Sequence, residues 1–112
     1  MTFNEIDKSC SVSAQISADD IPEIIAAGFK SIICNRPDDE SADQPPYALI
    51  EAAADKAGIP IRNIPVISGG LTMDDVLAMQ IALDELPKPI FAYCRSGARS
   101  GNLYNLALQH RA

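Results

Sequence analysis

Cys94-Arg95-Ser96-Gly97-Ala98-Arg99-Ser100 is the stretch of this chain whose residue types could do chemistry. A thiol stands first, two guanidiniums follow it, and the residues between them are small. The apolar run from Pro89 to Tyr93 reads as a short buried strand, and Leu103, Leu106 and Ala107 recur at helical spacing behind the loop. Cys94 therefore sits at a strand-to-helix turn, where backbone N–H groups lack intrahelical acceptors and converge. Such a turn holds anions, and the helix dipole reinforces it. The same field favours a thiolate: cysteines at helix N-termini beside cations commonly ionise at roughly 3.5 to 7.5 instead of about 8.5. A lone cysteine after an apolar strand is ordinarily a small buried hydrophobe. The arginines tip the balance toward a nucleophile for an anionic substrate, because an inert thiol has no use for them.

Two reaction classes use a thiolate cradled by N–H groups and an arginine. One is phosphate-ester hydrolysis through a cysteinyl-phosphate; the other is sulfur transfer through a cysteine persulfide. Both are covalent catalysis by an activated nucleophile, with donors preorganised around a developing anion. Protein tyrosine and dual-specificity phosphatases carry C-x5-R, whereas Arg99 here closes C-x4-R and Ser100 stands in the place of the phosphatase arginine. The smaller ring suits a persulfide sulfur better than a tetrahedral dianion, and the loop is similar to that of single-domain rhodaneses. Phosphoester cleavage also calls for a proton on the leaving oxygen. Phosphatases place that acid about thirty residues before the cysteine, but the segment from Arg62 to Ser68 holds no carboxylate. Asp74 and Asp75 are the nearest candidates, and both already suit a helix start.

The elements that must position this loop follow a βαβ rhythm. Residues 1–11 read as a lead-in and Ser11 to Gln15 as a short edge strand. Ser17-Ala18-Asp19-Asp20 is a capping box opening a helix that Gly28 ends. Phe29 to Cys34 is a β-branched run, a buried strand. The polar, Pro-rich segment from Asn35 to Pro46 is then a loop at a strand's C-terminal end, where open α/β sheets keep their sites. Its Arg36 either points at the anion site or braces the loop against Asp38 or Glu40. A helix from Tyr47 to Lys56, a strand from Ile59 to Ile67, and a helix opened by Thr72-Met73-Asp74-Asp75 and running to Leu86 complete the series. Val76, Met79, Ile81, Leu83 and Leu86 supply that helix's apolar side. The fold class is α/β: three layers, with a mainly parallel four- to five-stranded sheet and helices on both faces.

Composition narrows the possibilities further. The 112 residues suffice for one domain, over residues 1–112, and the ending 109–112 lacks a C-cap, as at the N-terminal domain of a longer protein. A net charge of −6 argues against nucleic acid or an anionic membrane as partner, and makes the local cluster of arginines stand out. Cys10, Cys34 and Cys94 fit no zinc spacing, so neither metal nor cofactor is expected, and an odd count fits a reducing compartment. With no secretory signal and no run of about 18 apolar residues, a cytoplasmic protein is expected. Cys10 and Cys34 read as structural, with Cys34 the one thiol placed to resolve a persulfide or disulfide; His110 reads as a surface residue.

Gln15-Ile16-Ser17, Gly28 to Pro37 and Ile64-Pro65-Val66 resemble the dual-specificity phosphatase fold. Together with Tyr93 to Ser100 they resemble the phosphatase-like domain of β-lactamase-hydrolase-like proteins, a bacterial family, over about residues 9 to 108. The resemblance implies a cysteine-phosphatase-like architecture. It makes Cys94 the nucleophile, Arg99 the anion-holding side chain, and the N–H groups from Arg95 to Ser100 the cradle. Ser96 and Ser100 would add hydroxyl donors, Gly97 and Ala98 the loop wall, and Arg95 an outward cation that attracts substrate. It also implies a place in sulfide or persulfide handling beside a persulfide dioxygenase of metallo-β-lactamase fold, which would hold any metal. Three functions follow, in this order: a rhodanese-type sulfurtransferase acting on thiosulfate or a persulfide, a cysteine phosphatase acting on a phosphoester, and a non-catalytic anion-binding or docking module.

Overall fold

The computed structural model describes residues 1–110; of the ending 109–112, residues 111 and 112 therefore lie outside the described part. Five strands form one sheet in the order β1-β2-β5-β3-β4. They are β1 (Asn4–Asp7), β2 (Cys10–Ser13), β3 (Ser31–Cys34), β4 (Ile61–Asn63) and β5 (Ile90–Tyr93). β1 runs antiparallel to β2, and the other pairings are parallel. The helices are α1 (Ile21–Ala26), preceded by a 3-10 turn at Ala18–Asp20, α2 (Tyr47–Ala57), α3 (Met73–Glu85) and α4 (Ala98–Gln109). Among the described residues no helix is long and apolar enough to cross a membrane.

Side-chain alternation along the strands sorts the core into two layers. From β5, Ile90 and Ala92 join Val76, Met79 and Leu83 of α3 and Leu103 and Ala107 of α4. Phe91 and Tyr93 face the other way, onto Ile21 and Ile24 of α1 and Ile50 and Ala54 of α2. Each of the larger of these buried side chains contributes on the order of 1.5–3 kcal/mol, and the alanines less. The three-layer α/β architecture is as expected. β5 lies between β2 and β3, so its carboxyl end opens where the chain's direction of travel across the sheet reverses, the usual place for a ligand crevice.

Local signals mark most boundaries. Ser17 N donates to Asp20 Oδ2 at 2.9 Å, and Thr72 N donates to Asp75 Oδ2 at 2.9 Å. Gly58 ends α2 with φ +79°. Three expectations need correction. The lead-in contains a strand: Asp7 Oδ1 accepts from Ser9 N and Cys10 N, turning β1 back onto β2, which is thereby an interior strand and not an edge. Only Ile6 of β1 is apolar and part-buried, too little for a period to register. The strand expected over Ile59 to Ile67 shrinks to β4, although single backbone bonds from Ile64 N to Cys34 O and from Val66 N to Asn35 O carry the pairing further. On α3, Ile81 is 55% exposed and Ala82 is buried in its stead, since the buried stripe runs through Met79, Leu83 and Leu86.

Candidate active site

β5 delivers Cys94 to the crevice, and the ladder continues one step past the strand: Cys94 N donates to Ser13 O at 3.2 Å and Asn35 N to Tyr93 O at 2.8 Å. The chain then turns through Gly97, whose φ is +96°, a conformation that favours glycine. Its position puts Gly97 N 3.0 Å from Cys94 Sγ. Ser100 is fully buried on the first turn of α4 beside the same sulfur, and its hydroxyl has no hydrogen-bond partner. Burial is the largest single influence on Cys94 and pushes its thiol up. The N–H groups of Ser100 and Ser96, the Ser100 hydroxyl and the N–H of Gly97 together outweigh it, and the thiol ionises below the usual cysteine range.

The other two thiols behave differently. Burial raises Cys10 to about 12, helped by the Asp7 carboxylate. Cys34 packs beside Tyr93 in the α1–α2 layer, opposite the α4 groups that face Cys94. Its burial likewise pushes its thiol up.

Arg99 is not turned to solvent, yet its guanidinium is claimed by a residue that sequence reasoning did not select. Nη1 and Nη2 donate to the two Glu40 carboxylate oxygens at 2.6 Å each, and Nη1 also donates to Val66 O at 2.8 Å. Arg36 reaches the same carboxylate through Nε at 3.0 Å and holds Gln15 and Ser41 through its Nη groups. Both readings of Arg36 thus meet in one place: it braces its loop through Glu40, and Glu40 ties it to Arg99. Asp38 instead accepts from Tyr47 N at the start of α2. Arg99, and after it Arg36, hold the Glu40 carboxyl below the usual carboxylate range. Glu40 raises Arg99 in return, with a smaller push from the Cys94 charge, which places Arg99 within electrostatic reach of the sulfur. The only hint of Glu40 in the sequence is its i,i+4 spacing from Arg36; its bond to Arg99 spans 59 positions.

The remaining candidates spread around this centre. Arg95 is exposed beside the sulfur loop, Ser96 Oγ accepts from Ala98 N at 3.3 Å, and Ala98 opens α4 at the surface. Asp75 is engaged with Thr72 and Asp74 is exposed at the start of α3, so neither is held over the sulfur by a contact. His110 is exposed. Among the described residues no three His, Cys, Asp or Glu side chains converge closely enough to hold a metal ion.

A family model described as the phosphatase-like domain of β-lactamase hydrolase-like proteins matches residues 2–110. A β-lactamase hydrolase-like protein of Agrobacterium fabrum is 38% identical over 101 residues, which cover 90% of this chain and 23% of that protein. The chain spans about a quarter of the length of the curated relatives it matches. A solved structure from Neisseria meningitidis, described as a candidate phosphatase, superposes with TM-score 0.86 at 30% identity, covering 100% of this chain and 81% of that one. P. aeruginosa TpbA, solved with pTyr, superposes with TM-score 0.66 at 16% identity over 98% of this chain and 65% of its own, a likeness of fold. These relatives favour the phosphatase reading over sulfur transfer, which the loop length and the missing acid had put first.

Proposed function

The chain belongs to the phosphatase-like domain family of β-lactamase hydrolase-like proteins, and from that premise we propose that it is a cysteine-dependent phosphatase acting on small phosphate monoesters. The observation that carries this reading is the buried Cys94 sulfur at the start of α4, which accepts from Gly97 N at 3.0 Å and whose thiol Ser100, Ser96 and Gly97 hold below the usual range against its burial. Such donors hold a thiolate at rest and the equatorial oxygens of a phosphoryl group during transfer. The Cys94 sulfur attacks phosphorus, the ester P–O bond breaks, and the leaving oxygen takes its proton from water. Water then attacks the cysteinyl-phosphate, the P–S bond breaks, and phosphate leaves with the thiolate restored.

Arg99 supports the same step by what Glu40 leaves free. Of its five N–H bonds, three go to Glu40 and Val66, leaving Nε–H and one Nη2–H on the adjacent edge. That edge is a fork suited to two phosphoryl oxygens. Glu40 is then a positioning residue that fixes the fork. With no carboxylate from Pro65 to Gly70 to serve as proton donor, aryl phosphates and other esters with acidic leaving groups are the favoured substrates.

Wild-type protein mixed with an aryl phosphate and quenched in acid should carry a phosphate adduct on Cys94 by mass spectrometry. The adduct should be absent in Cys94→Ser. Sulfur transfer remains the second reading, favoured by the C-x4-R ring. It prevails if no phosphoester turns over and thiosulfate adds one sulfur to Cys94. The persulfide dioxygenase partner implied by the family resemblance belongs with that second reading.

A further inference from the structure

Beside the sulfur loop lies a cavity of about 280 Å³, lined by Gln15, Arg36, Ser41, Gln44 and Arg95, with Asp43 also contributing to its lining. Arg36 is only 4% exposed, so its charge is nearly desolvated. Three of its five N–H bonds are used, one each by Glu40, Gln15 and Ser41. One hydrogen on Nη1 and one on Nη2 remain, on a buried guanidinium that faces a cavity. A buried donor without an acceptor is costly, and a cavity wall is where a ligand would supply one. Arg95, adjacent to Cys94 in sequence, contributes a second guanidinium to the lining. Counting the lining and its braces, Arg36, Arg95 and Arg99 face Glu40 and Asp43, three positive charges against two negative, in a chain whose net charge is −6. The field of this corner therefore opposes that of the whole molecule. No aromatic side chain lines the cavity, so it offers no slot for a ring.

We propose that this pocket binds a second oxyanion, a phosphate or a carboxylate, carried by the same substrate whose reacting group sits over Cys94. The shared Glu40 brace and the adjacency of Arg95 to Cys94 place the two sites within one small molecule's reach. That a single molecule spans them rests on the phosphate-ester reading; the pocket's preference for an oxyanion does not. Asp43 works against an anion and moderates the affinity.

Calorimetry on Cys94→Ser, which cannot turn substrate over, tests this with glycerol monophosphate, glycerol bisphosphate and phosphoglycerate. Both bis-anions should bind about tenfold or more tighter than the monophosphate. Tight bisphosphate with weak phosphoglycerate would assign the pocket to phosphate, and equal tightness would show that a carboxylate suffices. Adding Arg95→Gln should lower the ratio about threefold or more, with Arg36 keeping the remainder, while Asp43→Asn should raise it; both positions are exposed, so folding should survive. Equal binding of all three compounds, binding of none, or a ratio indifferent to Arg95→Gln overturns the proposal. Wild-type protein that forms no Cys94 phosphate adduct from an aryl phosphate, while Cys94→Ser keeps the ratio, sinks the phosphatase reading and leaves the pocket standing.

Discussion

α3 and α4 each follow a parallel strand at the same end of the sheet, and they dispose of their free N–H groups in opposite ways. At α3, Thr72 and Asp75 close a reciprocal box, with Asp75 N donating to Thr72 Oγ1 at 3.2 Å and Thr72 N to Asp75 Oδ2 at 2.9 Å. At α4 the N-cap is Gly97, which has no side chain to cap with, and the first turn carries no acid. The Gly97 N–H there goes to the sulfur of Cys94. A capped helix end is closed to ligands and contributes stability. An end whose acceptor is a thiolate holds a reactive group in the place of a cap.

The largest break in this contrast is Cys94→Ser. Steady-state aryl phosphate turnover should fall by a factor on the order of 1000 or more with the circular-dichroism spectrum unchanged, because the cradle remains and the nucleophile does not. Glu40→Gln comes next. It leaves the nearly buried Arg36 and Arg99 without their shared anion, so kcat/KM should drop roughly 10- to 100-fold and stability by about 2–3 kcal/mol in urea unfolding. The sign with pH follows from the lowered Glu40 carboxyl: its stabilisation is full above the unfolded value of about 4.3 and is lost as pH falls through the lower folded value. The stability gap between wild type and Glu40→Gln should accordingly close in acid. If the gap stays constant with pH, Glu40 is not an ionised brace.

Ser100→Ala sharpens the contrast at the α4 end. Removing one donor from the sulfur moves its ionisation upward, and turnover at neutral pH should fall about three- to tenfold. In wild type the thiolate is present above its lowered value and is lost as pH falls through it. A pH titration of thiolate ultraviolet absorbance should show one early step from Cys94 and none from Cys10 until near 12. Smallest of all, Thr72→Ala should cost about 1 kcal/mol in thermal unfolding and leave turnover unchanged, since that helix end serves the fold alone. A comparable loss of turnover would mean that the two ends are not separate in function.

Much of this was legible in residue order because it is written in short-range patterns. Two capping boxes, Gly28 and Gly58, and the apolar run into Cys94 mark elements through interactions of a few residues. The strand β1 was not legible, since Asn4-Glu5-Ile6-Asp7 owes its conformation to pairing with β2 and has almost no apolar period of its own. Ile81 misled for the converse reason: an apolar residue near a helix's buried stripe is indistinguishable in sequence from one within it.

By itself the sequence determined the candidate loop around Cys94, the α/β rhythm and the chemistry that a cradled thiolate would have open to it. These depend on residue type and on contacts within one turn. Only the tertiary structure decided that Glu40 holds Arg99 and Arg36 together. It also decided that a cavity opens beside Arg95. Each of those rests on groups from separate strands and loops meeting at the carboxyl edge of the sheet, and no local spacing encodes a bond between positions 40 and 99.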